Sequence, residues 1–152
     1  MAALKIDFVS DIACPWCAVG LAALEQAIDK LKDEVQVTLH FQPFELNPTM
    51  PPEGQDILEH LSQKYGMTAA QVAQNQEHIR QRGAEVGFTF NMDGRKRTYN
   101  TFDAHRLLHW AETEGAPDAQ QRLKWALLDA YFTLGQDPSN HAVLIGAAEK
   151  AG

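Results

Sequence analysis

The 152-residue sequence has little positive charge, few cysteines and no long apolar run, and each shortage excludes a class of protein. There are 13 Lys and Arg against 20 Asp and Glu, a formal net charge of −7, so a polyanion such as DNA is repelled on average. No segment approaches the roughly 20 apolar residues of a membrane span, and no basic stretch followed by an apolar run opens the sequence. We expect no nucleic acid partner, no membrane segment and a cytoplasmic location.

The only two cysteines stand in one short motif, Cys14-Pro15-Trp16-Cys17. In a reducing compartment such a pair is more often catalytic, redox-sensing or metal-binding than a structural disulfide. An apolar strand precedes the motif and an amphipathic helix follows it, so we expect Cys14 at a helix N-terminus. Backbone N–H groups favour a thiolate at that position. The motif is therefore a candidate redox site.

Each residue of the motif has an expected role. The helix N-terminus should lower the pKa of Cys14 from about 8.5 into the range of about 3.5 to 7.5, which makes Cys14 the nucleophile. Cys17, one turn further on, should attack the mixed disulfide formed at Cys14 and so resolve it. Pro15 suits the first helical turn, where its missing N–H costs nothing. Trp16 carries a ring large enough to cover apolar surface beside the thiols.

Metal binding is the main alternative for this motif. A Cys-x-x-Cys pair is half of a structural zinc site, but the sequence has no second cysteine pair to complete four ligands. His105 and His109 are spaced i, i+4 on a predicted helix and are the only histidines arranged to supply the remainder. We expect no metal. Two inert core cysteines are a third interpretation, which the Pro15-Trp16 insert and the strand-to-helix position disfavour.

Residues 1–45 have the pattern of a βαβ unit. Two segments alternate apolar and polar residues, as half-buried strands do, and between them apolar residues recur at the spacings of a helix face. The apolar residues are Leu4, Ile6 and Phe8 in the first strand, Leu21, Leu24, Ile28 and Leu31 in the helix, and Val35, Val37, Leu39 and Phe41 in the second strand. A crossover helix of this length implies parallel strands.

Residues 46–152 are predicted to form a helical domain. Four prolines between positions 43 and 52 exclude regular structure there and mark the boundary. The predicted helices cover residues 57–65 with Gly66 as the stop, residues 68–87 with a capping box at Thr68, residues 101–114, a stripe containing Leu123, Leu127, Ala130, Tyr131 and Leu134, and a last segment from about residue 140. The basic run Arg95-Lys96-Arg97 is expected in a solvated loop.

Four segments together resemble the DsbA-like thioredoxin-fold oxidoreductases of the FrnE type. They are the strand ending in Asp11, the Cys14-Pro15-Trp16-Cys17 motif with Gly20 three residues on, the segment Pro43-Phe44-Glu45-Leu46-Asn47-Pro48, and Asn100-Thr101 followed by Ala104-His105-Arg106-Leu107. The resemblance covers the whole chain. It implies an α/β fold in which a helical domain interrupts a thioredoxin-like domain after its second strand. It also implies thiol–disulfide exchange at Cys14 and Cys17 with protein or small thiols, glutathione among them, and no organic cofactor.

The resemblance leaves three points open. Members of this family return from the helical domain to add strands and a cis-proline loop, and this sequence shows no such return. We therefore expect the C-terminal thioredoxin half to be missing, or a second copy in a homodimer to complete the sheet. Kappa-class glutathione transferases and hydroxychromene carboxylate isomerases are a related glutathione-dependent branch, against which Cys17 argues. A non-catalytic binding fragment is the remaining alternative.

Overall fold

The chain opens with a strand, a helix and a second strand. In the computed structural model, which describes residues 1–152, these are β1 (Ala2–Ser10), α1 (Pro15–Lys30) and β2 (Val35–Pro43). The two strands pair in parallel, with Ala2 opposite Val35 and Ser10 opposite Pro43. The predicted βαβ unit is confirmed, and the end of β1 delivers the chain directly to the cysteine motif.

The rest of the chain is mostly helical. It forms β3 (Gln55–Asp56), α2 (Ile57–Tyr65), α3 (Ala69–Glu85), β4 (Arg97–Thr98), α4 (Phe102–Glu114), α5 (Ala119–Leu128), a π-helical turn (Asp129–Thr133) and α6 (His141–Ala151). The short strands β3 and β4 pair antiparallel and hold the loops beside α2. No helix of the structure is both long and apolar enough to cross a membrane.

Local capping signals define several helix ends. Gly66 ends α2 in the left-handed conformation with φ of 67°, which glycine adopts without steric cost. Thr68 and Gln71 form the predicted capping box at the start of α3. The Asn140 side chain accepts a hydrogen bond of 2.8 Å from the Ala142 N–H at the start of α6. These predicted boundaries are confirmed because each depends on residues next to the helix end.

One residue of the basic run departs from the prediction. Arg95 is buried, whereas Lys96 and Arg97 are exposed, with Arg97 in the short strand β4. The reason is tertiary: the Arg95 guanidinium lies over the rings of Tyr131 and Phe132, from an element far along the chain. Leu134 also departs from its predicted stripe and is 57% exposed, because the π-helical turn changes the register after α5.

One hydrophobic core joins the two predicted parts of the chain. Its 19 buried residues include Ile12 and Phe41 from the βαβ unit and Ile79, Leu108 and Leu127 from the helical segment. Gln120 on α5 adds a polar connection, because its side-chain oxygen accepts from the Phe41 N–H at 3.1 Å and its nitrogen donates to the Phe41 carbonyl at 3.1 Å. The helical segment therefore packs directly against β2 and α1, and both contribute to the surroundings of the cysteines.

Candidate active site

Cys14 lies at the N-terminus of α1, as the sequence predicts. It is the N-cap residue, Pro15 follows in the first helical turn, and the Cys17 N–H donates to the Cys14 carbonyl at 3.1 Å. The backbone N–H groups of Cys17 and Trp16 act to lower the pKa of Cys14. Both cysteines are half-buried free thiols. The helix terminus thus directs backbone donors at the first sulfur of the motif.

The two thiols influence each other's ionisation. The interaction with Cys14 lowers the pKa of Cys17 to about 6. The interaction with Cys17, together with burial, raises the pKa of Cys14. Because protons leave such a pair in two steps that belong to both groups, the pair forms one thiolate easily and a second one with difficulty.

A buried lysine lies behind the pair. Lys124 on α5 is 1% exposed and belongs to none of the ion pairs of the protein. Burial lowers its pKa to about 8, against the opposing influence of Cys17, Asp11 and Cys14. The positive charge of Lys124 in turn helps to lower the pKa of Cys17. The ammonium therefore stabilises negative charge on the thiol pair.

Asp11 is a buried carboxylate at the end of β1, adjoining the motif. It accepts four hydrogen bonds, from the N–H groups of Ile12 (2.8 Å) and Leu46 (2.9 Å), from Thr101 Oγ1 (2.6 Å) and from His105 Nε2 (3.0 Å). Burial raises the pKa of Asp11, but the bonds from His105, Thr101 and Leu46 outweigh burial and leave that pKa below its ordinary value. Asp11 is thus ionised at neutral pH, and its charge acts on Cys17 in the opposite sense to Lys124.

His105 connects this carboxylate to the loop after β2. Its Nε2 lies 3.0 Å from Asp11 Oδ1 and 3.1 Å from the Phe44 carbonyl oxygen. Both neighbours are acceptors, so Nε2 carries a proton and donates. His109 lies on the exposed surface, and no group of three or more His, Cys, Asp or Glu side chains is placed to hold a metal ion. His105 is therefore engaged with Asp11 and does not meet the cysteines as part of a ligand set.

Lys124 is the residue of the site that the sequence analysis does not single out. A signal for Lys124 exists in the spacing of α5, where Gln120, Lys124 and Leu127 recur at i, i+4 and i+7 and are all buried. A lysine within a buried stripe is unusual and marks a position where charge serves a partner. Asp11 appears in the sequence only as the end of the first strand, and its buried hydrogen bonds follow from the fold.

A cavity of about 450 Å³ opens on the other side of Cys14. Cys14, Pro15 and Trp16 form one wall, and most of the remaining lining comes from α2, α3, β4 and the loops that follow β2 and precede β4. Trp16 is 43% exposed, and its ring centroid lies 5.8 Å from that of His78 on α3. Cys17 does not line this cavity. The Pro-Trp dipeptide therefore shapes the surface that a reactant meets on its approach to Cys14.

Residues 5–152 match the family model of the DSBA-like thioredoxin domain. The chain belongs to this family. Its structure is similar to that of a probable DsbA oxidoreductase from Streptomyces coelicolor, with 31% identity and a TM-score of 0.82 over 97% of this chain and 62% of that one. A candidate protein disulfide isomerase from Nitrosomonas europaea, 17% identical, shares the fold with a TM-score of 0.62 over 95% of this chain and 63% of that one. No curated protein matches the chain.

Both related proteins are longer than this chain. This chain spans about 62% of the length of the Streptomyces protein and 63% of the Nitrosomonas protein. The family assignment supports the mixed α/β fold with a helical insertion.

Proposed function

We propose that the protein is a thiol–disulfide oxidoreductase that exchanges disulfides with protein or small-molecule thiols through Cys14 and Cys17. The observation that carries the proposal is the different placement of the two sulfurs. Cys14 lies at the N-terminus of α1 and lines the cavity, whereas Cys17 lies away from the cavity and under the influence of buried Lys124. The proposed roles are nucleophile for Cys14 and resolving thiol for Cys17.

The proposed reaction passes two electrons from the cysteine pair to a disulfide. A proton first shifts from Cys14 to Cys17, which leaves the thiolate at the cavity. The Cys14 thiolate attacks one substrate sulfur, the substrate S–S bond breaks, and the first thiolate leaves. Cys17 then gives its proton to solvent and attacks the Cys14 sulfur, which releases the second thiolate and closes the disulfide. With a dithiol partner the same steps run in reverse.

The charges around the pair favour the direction in which the pair oxidises its substrate. Because a stabilised thiolate favours the reduced form of the pair, the Cys14–Cys17 disulfide is readily reduced by a substrate dithiol, which becomes a disulfide. Backbone donors at Cys14 and the ammonium of Lys124 both act in this sense. The reaction as proposed uses no organic cofactor, and glutathione is one small thiol that would serve. The cytoplasm remains the proposed compartment on the sequence argument alone.

Trapping of the mixed disulfide tests this proposal. In Cys17→Ala the resolving thiol is absent, so a disulfide-bonded adduct should accumulate at Cys14 when the protein is mixed with oxidised glutathione. Intact-mass measurement and peptide mapping identify the adduct and its position. Cys14→Ala is the matched control and should form far less adduct. Absence of an adduct at Cys14, or equal adduct in both variants, would contradict the assigned roles.

A further inference from the structure

Arg95 is a buried charge at the wall of the cavity that Cys14 lines. The π-helical turn turns two consecutive aromatic residues inward, Tyr131 at 1% and Phe132 at 0% exposure. The Arg95 guanidinium carbon lies 5.4 Å from the ring centroid of Tyr131 and 4.9 Å from that of Phe132. Arg95 itself is 8% exposed. Cation–π contacts on two rings therefore fix the guanidinium at the cavity.

No carboxylate balances this guanidinium. Arg95 belongs to none of the ion pairs of the protein, and its Nε is buried without a hydrogen-bond partner. Burial raises the pKa of the neighbouring Tyr131, so that hydroxyl is neutral at pH 7 and supplies no negative charge. A buried charge is costly unless it is paired. An anion from outside the chain would supply the pairing that the protein does not.

The lining of the cavity has the opposite charge to the protein as a whole. It contains no Asp or Glu, although the chain has 20 acidic residues against 13 Lys and Arg. Lys64 adds a second positive charge. Its Nζ donates to the Leu46 carbonyl at 3.0 Å and to Asn47 Oδ1 at 2.8 Å. His60 also lines the cavity, but burial lowers its pKa and keeps it neutral at pH 7. A cleft lined by one sign of charge concentrates ligands of the other sign.

We propose that Arg95 and Lys64 bind the carboxylate of a small anionic disulfide or thiol while its sulfur reacts at Cys14. This inference rests on the proposed function and names the chemical class of its substrate. The volume of about 450 Å³ suits a small molecule, since such sites span about 300 to 1,000 Å³. Arginine matches a carboxylate with two parallel N–H donors, so a planar anion gains both charge and geometry at Arg95.

The test compares two disulfides that differ only in charge. Dithiodipropionate carries two carboxylates, and its diamide has the same size and shape without charge. Each oxidises the reduced pair by the same two steps: one S–S bond breaks, the Cys14–Cys17 bond forms, and two thiolates leave. The rate of loss of free protein thiols is measured for both reagents in wild type and Arg95→Gln. We expect Arg95→Gln to slow the anionic reagent about tenfold and to leave the rate of the diamide unchanged.

Two further variants keep the test decisive. Arg106→Gln removes an exposed arginine that pairs with Asp103 at 3.1 Å outside this cavity, and it should change neither rate. Lys64 is exposed, so Lys64→Gln leaves the fold intact and should selectively slow the anionic reagent about threefold. If Arg95→Gln fails to fold, Lys64→Gln decides the matter together with Arg95→Lys, which keeps the charge without the two parallel donors and should retain only part of the preference.

The outcomes separate this inference from the proposed function. If neither reagent oxidises the pair in wild type, the proposed function fails and the inference fails with it. If both reagents oxidise the pair but the substitutions slow them equally, or slow neither, the carboxylate site alone is overturned. A selective loss for dithiodipropionate supports the site.

Discussion

Two regions adjoin the cysteine pair. One is a buried group of charged and polar side chains, and the other is a cavity lined by positive charge. The inner face consists of Asp11, His105 and Lys124, all buried, with the carboxylate held by four hydrogen bonds. The outer face is the cavity with Trp16, Lys64 and Arg95, which is open to solvent. Electrostatic interactions are stronger where water is excluded. The inner face therefore determines stability and the charge on the pair, while the outer face determines which partner reaches Cys14.

The largest expected effect is on the inner face, in Asp11→Asn. The substitution removes a buried charge and turns an amide nitrogen toward donors, so it should lower the free energy of unfolding by about 3 kcal/mol. Denaturant unfolding of the reduced protein measures the change. Asp7→Asn on the same strand is the matched control; Asp7 is half exposed and should contribute less than about 0.5 kcal/mol. Equal losses in the two variants would show that the buried network does not stabilise the fold.

The pH dependence of this loss is a second check on Asp11. The pKa of Asp11 is lower in the folded protein than its ordinary value, so its stabilisation is present at neutral pH. That stabilisation is lost as the pH falls through the folded pKa. The difference in unfolding free energy between wild type and Asp11→Asn should thus shrink below about pH 4. A difference that is constant with pH would mean that packing, and not ionisation, accounts for the effect.

Thr101→Val should have a smaller effect on the same network. Thr101 caps α4 without a side-chain cap bond, because its hydroxyl donates to Asp11 at 2.6 Å instead. Loss of this bond to a charged group should lower the free energy of unfolding by about 1.5 kcal/mol and should raise the pKa of Asp11. Denaturant unfolding measures the first change. Thr113→Val, near the exposed end of α4, should change stability by less than about 0.5 kcal/mol. Matching costs at the two positions would count against the role of Thr101 in the network.

Lys124→Met distinguishes charge from stability on the inner face. Methionine fills a similar volume without charge, so we expect the free energy of unfolding to stay equal or to rise. The pKa of the first ionisation of the thiol pair should rise by about one unit, and alkylation below that pKa should slow about tenfold. Lys150→Met, at an exposed lysine that pairs with Asp129, should leave alkylation unchanged. An unchanged alkylation profile in Lys124→Met would show that Lys124 does not stabilise the thiolate.

Trp16→Ala on the outer face should have only a small effect on stability. Trp16 is 43% exposed, and its ring packs against that of His78. The unfolding free energy should therefore change by less than about 1 kcal/mol. The same substitution removes a wall of the cavity. Oxidation by dithiodipropionate should therefore slow while stability holds. A large loss of stability would show that Trp16 stabilises the fold, and it would contradict the assignment of the outer face to partner access alone.

The sequence predicts the fold where structure depends on neighbouring residues. The alternation in β1 and β2, Gly66 after α2 and the capping box at Thr68 are local signals, and the structure confirms each. The cysteine motif was recognised in the same way, because its helix N-terminus lies within a few residues of it.

The charged residues of the site could not be predicted in this way. Burial of Arg95 requires Tyr131 and Phe132, and the role of Lys124 requires the end of β1 to meet α5. A π-helical turn also changes the register that a regular helix pattern assumes. These features arise from contacts between distant elements, so the local pattern at Arg95 indicated a solvated loop.

The pH profile of thiol alkylation tests the central claim most directly. The rate of iodoacetamide reaction with the reduced wild-type protein is followed from acid to alkaline pH, and peptide mapping identifies the modified cysteine. The interaction between the two thiols and the charge of Lys124 predict an inflection at about 6, with Cys14 modified first because it lines the cavity. A single inflection near the ordinary thiol value of about 8.5 would contradict the account.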